Sequence, residues 1–116
     1  MDDPLHHDDQ LRERIAHYLH QQLGRAVEIG PLKRFAVGFS WRTYLVPVHG
    51  FDGPGTPTRD IILRLGPDYG LFAPYSAIPE WLAMRSLEGT AIPVPKAYWA
   101  GDDVSIFGAP FLFSER

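Results

Sequence analysis

The chain has 116 residues, enough for one domain with a core of its own. Hydrophobic residues make up 45%, charged residues 22%, and the net charge is -3; that is a globular profile, with no long-range attraction to nucleic acid or an anionic membrane. Cysteine is absent, which excludes disulfide frameworks and thiolate metal sites together.

Residues 1–9, from Met1 to Asp9, are acidic and lack an apolar run, so they read as a polar tail and not as a signal peptide. No apolar stretch approaches the about 20 residues that a membrane span needs, and the expectation is a soluble, cytoplasmic protein. From Gln10 to Leu23 the period is helical: Leu11, Ile15, Leu19 and Leu23 share one side, with Tyr18 beside them. Asp8 or Asp9 can cap the start, and Gly24 suits a left-handed stop. Val27 to Phe35 reads as an extended entry interrupted at Gly30-Pro31, followed by a turn over Gly38 to Arg42. Thr43 to Val46 favours a strand, and Pro47 is expected at a bulge or strand end. Gly50 to Thr58 is a turn-rich connection, and Asp60 to Leu65 is the strongest strand of the chain. Pro79 to Glu88 reads as a helix ended by Gly89. Ala97 to Ala100, a turn at Gly101-Asp102-Asp103 and Val104 to Ile106 form a predicted hairpin, and Phe111 to Phe113 a last strand. The order predicts an α+β fold: a five-stranded antiparallel sheet with one crossing helix and an additional N-terminal helix.

One juxtaposition carries chemistry. Glu80, Ala83, Met84 and Leu87 fall on a single helical stripe that is otherwise apolar. A carboxylate there either bends out to solvent at the positive end of the helix or turns to the sheet, where it needs a cation. Strand alternation puts Arg64 on the face of Ile62, opposite Ile61, Leu63 and Leu65. Arg64 is then either a surface residue of an edge strand or the two-pronged partner of that carboxylate.

Five segments in order extend this: Gly38-Phe39-Ser40-Trp41-Arg42-Thr43-Tyr44-Leu45; Ile62-Leu63-Arg64-Leu65; Glu80 with Leu87; Ile92-Pro93-Val94-Pro95; and Gly108 to Arg116. From about Leu32 to Arg116 they resemble the aminoglycoside phosphotransferase and choline kinase superfamily, most closely the bacterial relatives of the kinase-like domain fused to acyl-CoA dehydrogenases. The resemblance implies that residues 10–116 are the nucleotide-binding lobe of a small-molecule O-phosphotransferase. It makes Gly38, Ser40, Trp41 and Arg42 part of a loop over the ATP phosphates, with Arg64 the phosphate-contacting strand cation and Glu80 its helix partner. Val46 and Ile62 would roof the base. Ser114, Glu115 and Arg116 would begin a hinge whose backbone bonds the adenine edge. Trp41 stands where the family usually has asparagine; Arg64 stands where protein kinases have lysine, as it does in many relatives of this subgroup.

Phosphoryl transfer also needs Mg²⁺ ligands and a carboxylate that orients the acceptor hydroxyl. In the family these follow the hinge, so a catalytic lobe absent from this sequence is expected to supply them, and Mg²⁺ with them. His7-Asp8-Asp9 precedes the whole lobe and reads as tail; Asp102-Asp103 reads as a turn, and His17 with His20 as structural. No P-loop, dinucleotide fingerprint or nucleophile elbow occurs. The alternative function is a non-catalytic interaction module on the same fold. Trp41, Phe72, Trp81, Trp99 and Phe113 predict an uncovered aromatic surface, met by a second lobe, a protein partner or self-association.

Overall fold

In the computed structural model the described residues are 4–35, 42–66, 78–91 and 95–116. Helix α1 spans Pro4–Leu23. Its apolar side is the one the period predicts, with Ile15 and Leu19 fully buried and Tyr18 nearly so, while Glu13, His17, His20 and Gln21 are exposed. The helix stops at Gly24, whose φ of 75° is left-handed and whose N–H reaches the His20 carbonyl at 2.9 Å. The start differs from expectation. Residues 4–9 belong to the helix and are not a tail, because proline at the first position needs no N–H partner and polar residues can extend a helix beyond its apolar stripe. Asp9 therefore caps nothing; it lies 3.6 Å from the Arg12 guanidinium one turn on.

Two short strands, β1 (Glu28–Ile29) and β2 (Lys33–Phe35), flank the interruption at Gly30-Pro31 and both pair with β3 (Arg42–His49). Pro47 lies inside β3 and not at its end. Its carbonyl accepts the Gly30 N–H at 2.9 Å, so its missing N–H also faces the gap between β1 and β2 and costs the β4 ladder nothing. Gly30 permits this approach: a Cβ there would stand 3.2 Å from the Pro47 Cβ. Arg25 fastens the loop after α1, donating to the Gly50 and Phe51 carbonyls at 2.7 and 2.6 Å.

Strand β4 (Arg59–Leu65) pairs with β3 over its full length. Then come helix α2 (Ile78–Leu87), strand β5 (Ala97–Gly101), a single helical turn α3 (Val104–Phe107) and strand β6 (Phe111–Glu115). The predicted strand over Val104 to Ile106 is that helical turn. Asp103 accounts for it, since its carboxylate accepts the Ser105 N–H at 2.9 Å and the Ser105 hydroxyl at 2.6 Å. Strand β5 pairs instead with β6, which lies between β5 and β4; the order is β1-β3-β4-β6-β5, with β2 also on β3 and every pair antiparallel. The fold is thus α+β with a six-stranded antiparallel sheet, the extra strand being the two-residue β1.

The core lies between α1 and one face of the sheet. Tyr44, Val46 and Val48 of β3, Ile61, Leu63 and Leu65 of β4, and Phe111 and Phe113 of β6 meet Ile15, Tyr18 and Leu19 there. Tyr18 is its hub: it stacks on Phe113 at 5.6 Å and meets Phe107, Phe111 and Trp99 edge-on. The expected aromatic surface is not built from Phe113, which is fully buried, nor from the half-buried Trp99 and Trp81. Leu82 is the exposed large apolar residue among the described ones; Trp41 and Phe72 lie outside them. Among the described residues no helix is long and apolar enough to cross a membrane.

Burial pushes the Tyr18 phenol above its ordinary value of 10.0. A folded-state pKa above the unfolded one makes a contribution to stability that is complete below about pH 10 and disappears as pH rises through the folded-state value. Tyr18→Phe is therefore expected to shallow the alkaline fall in stability, followed by circular dichroism between pH 9 and 12. An identical alkaline limb in the two proteins would show that the phenol ionises without resistance.

Candidate functional site

The sheet's second face, turned away from α1, gathers most of the predicted site residues that can be described. Alternation along β4 sends Asp60, Ile62 and Arg64 to it, all half-buried, between the core residues Ile61, Leu63 and Leu65. The β3 partners across the ladder are Pro47, Leu45 and Thr43, and on the other side Ser114 opposes Ile62 and Leu112 opposes Arg64. Three rows result. Thr43, Arg64 and Leu112 form a row with a cation at its centre. Leu45, Ile62 and Ser114 form an apolar row ended by a hydroxyl. Pro47 and Asp60 form the third, where the Arg116 guanidinium comes within 3.2 Å of the Asp60 carboxylate. Over β6 the face is closed: Leu112 is fully buried without belonging to the α1-side core, and Ser114 is only 6% exposed. The half-exposed part lies over β3 and β4.

Two expected site residues point the other way. Val46 pairs with Ile61, is fully buried, and packs under α1, so it cannot share a ceiling with Ile62; Leu45 stands beside Ile62 in its place. A shift of one residue along a strand exchanges the faces. Arg42 pairs with Leu65 and likewise turns to the α1 side, away from Arg64. The Glu115 amide is engaged as well, donating to the Lys96 carbonyl at 2.8 Å, while its carboxylate accepts the Lys96 N–H at 2.9 Å. A hinge contact to a base edge therefore cannot come from that N–H. Gly38, Ser40 and Trp41, and the side chain of Glu80, lie outside the described residues.

Helix α2 packs against β5, and none of its residues enters the core under α1. Its half-buried positions are Ile78, Trp81, Met84 and Leu87, whereas Ala83, expected on the inner stripe, is exposed. The stripe runs at i, i+3, i+6 and i+9, with Trp81, the largest side chain of the helix, on it. At the far end of the sheet Arg59 bonds Asp52 at 2.7 Å and lies over the Phe51 ring at 5.9 Å, and this carboxylate raises the Arg59 pKa further. Neither residue is signalled by the sequence, since Asp52 stands on a turn and Arg59 at the start of β4, seven residues later. Among the described residues no three His, Asp or Glu side chains come together as a metal site.

The chain matches no protein-family model and no curated protein. What remains is geometry. An arginine, an apolar strip and a strand end lie on one face of the sheet. The residues that sequence reasoning missed, Thr43, Leu45 and Asp60, become visible once Ile62 and Arg64 are given their cross-strand partners. That register was not to be read from β3 alone, because Pro47 hid its length.

Proposed function

We propose that this chain is a nucleotide-binding lobe of the kind used by small-molecule O-phosphotransferases, holding ATP against the sheet face away from α1. The phosphates lie toward Arg64 and Thr43, the base over Leu45 and Ile62, and the end of β6 beside it. The observation that carries this reading is the alternation of β4, which presents one guanidinium and one branched apolar side chain on a half-exposed face. A guanidinium grips phosphate oxygens in two places, and an aliphatic strip suits the flat face of a base. A helix following the Arg64 strand and a sheet that is antiparallel throughout are also what the resemblance implies.

Phosphoryl transfer further requires Mg²⁺ ligands and a carboxylate for the acceptor hydroxyl. The reading assigns neither to these residues, so nucleotide binding is the activity expected of them. Arg64→Ala should weaken MgATP binding about 10–100-fold, the worth of one charge-assisted contact, in isothermal titration calorimetry, with the circular dichroism spectrum unchanged. Arg64→Lys should keep part of the affinity. Equal affinity in the wild type and Arg64→Ala would end the nucleotide reading; a folded wild type that ignores ATP would return this half-exposed face to a protein partner.

A further inference from the structure

We infer that the Asp52–Gly53 bond is a modification site, at which the chain isomerises to isoaspartate, and that Arg59 acts as its brake. The Gly53 backbone nitrogen attacks the side-chain carboxyl carbon of Asp52. One carboxyl oxygen leaves as water, taking the proton of the nitrogen and that of the acid, and a five-membered succinimide closes. Water then reopens the ring. Attack at one carbonyl restores aspartate; attack at the other carries the main chain through Cβ and Cγ and leaves the former backbone carbonyl as a free carboxylate. The water lost is regained, so the product has the mass of the starting chain.

Sequence and fold select this position together. Among the aspartates only Asp52 precedes glycine, whose missing side chain leaves the attacking nitrogen unshielded, and asparagine, the other source of isoaspartate, is absent. Competing positions are hindered. Asp60 precedes the β-branched Ile61 inside the β3–β4 ladder, and Asp103 precedes Val104 with its carboxylate engaged by Ser105. Asp52 and Gly53 stand on the turn between β3 and β4, where the Asp52 side chain is 43% exposed. The Gly53 N–H makes a long bond, 3.2 Å to the Gly50 carbonyl. Among the described residues a Cβ on Gly53 would meet within 4 Å only the Thr56 methyl group, at 3.7 Å, apart from its chain neighbours, so the turn leaves room around the nitrogen.

The brake is the ion pair. The Asp52 carboxylate accepts the Arg59 Nε–H at 2.7 Å, and the guanidinium is itself seated over the buried Phe51 ring at 5.9 Å. A succinimide has no carboxylate, so this charge-assisted bond is given up on the way to it. The isoaspartyl chain is one main-chain atom longer between residues 52 and 53, within a turn closed by the Gly53 to Gly50 bond, and its carboxylate starts from a different carbon, so Arg59 loses its partner. The inference does not depend on the nucleotide reading, since Ile62 and Arg64 lie further along β4.

The 116-residue chain, kept at physiological pH and temperature for several weeks, should accumulate isoaspartate at Asp52 above every other aspartate. Peptide mapping reads the position, and enzymatic methyl-esterification of isoaspartyl carboxylates by S-adenosylmethionine reads the amount. Arg59→Gln should accelerate the reaction of the folded chain about two- to five-fold, the worth of an exposed ion pair. In urea, where the pair is broken, wild type and Arg59→Gln should isomerise at one rate, which separates the brake from the intrinsic chemistry of the sequence. Asp52→Glu keeps the charge but offers only a six-membered ring, and should abolish the product at this position. Isoaspartate chiefly at another aspartate, or none at Asp52 after the time in which a peptide copying residues 50–56 forms it, would overturn the site. Equal rates for folded wild type and Arg59→Gln, or the same acceleration in urea, would overturn the brake.

Discussion

Phe113→Ala is expected to remove about 3–5 kcal/mol of stability, the usual cost of emptying a buried aromatic site. Single domains hold about 5–15 kcal/mol in all, so the variant should stand close to unfolding at room temperature. The reason is the position of the ring. Phe113 is fully buried in β6, level with Leu63 on one neighbouring strand and Trp99 on the other. It lies nearly parallel to Tyr18 at 5.6 Å and edge-on to Trp99 and Phe107 at 6.0 and 5.8 Å. Removing it takes a contact from every wall of the core at once, and a sheet strand cannot collapse into the space as a surface loop could. Urea denaturation should show a lower midpoint with an unchanged slope. A loss under about 1 kcal/mol would mean that the neighbouring rings close the cavity. Phe113→Leu should retain most of the stability.

The opposite error, adding one carbon where none fits, should also be costly. A Cβ on Gly101 would stand 2.8 Å from the Cε1 and Cζ atoms of Phe111, its partner across the β5–β6 ladder. Gly101→Ala therefore forces the Phe111 ring out of its place against Phe107, 4.9 Å away, and overpacking of this kind costs about 1–3 kcal/mol. Gly101 is not among the glycines at positive φ, so the strain arises from the ring and not from the backbone. A smaller side chain opposite should relieve it. Phe111→Leu combined with Gly101→Ala is expected to lose less than the sum of the two single changes in thermal unfolding, and strict additivity would show that the two positions do not meet.

Where a segment's own pattern decides its structure, the sequence was readable. The four-residue spacing of Leu11, Ile15, Leu19 and Leu23 defines the buried side of α1, the alternation over Arg59–Leu65 defines β4, and Gly30-Pro31 marks the break in the edge. Where partners across the sheet decide, it was not. Whether Val46 or Leu45 lies beside Ile62 depends on the β3–β4 register, and nothing within β3 states that register. Pro47 looked like a strand end because its neighbours on the far edge, which leave room for a residue without an N–H, lie seventeen residues earlier in the chain. The turn at Val104–Phe107 was concealed by two β-branched residues whose preference is overridden by the Asp103 cap and by Phe107 entering the core. For the candidate site the outcome is similar. Ile62 and Arg64 were correctly assigned to one face from β4 alone, but the residues that complete that face had to come from another strand.

Because β6 follows β5 in the chain yet lies between β5 and β4, the sheet cannot be assembled in the order in which it is made. Until residues 111–115 arrive, β4 has a bare edge and β5 has no neighbour to bond, so the hydrophobic side of both strands waits unprotected. Nascent or partly unfolded chains should for that reason be most prone to aggregate through Asp60 to Leu65, the most apolar stretch with an open ladder, and a peptide copying β6 should suppress it by occupying the gap.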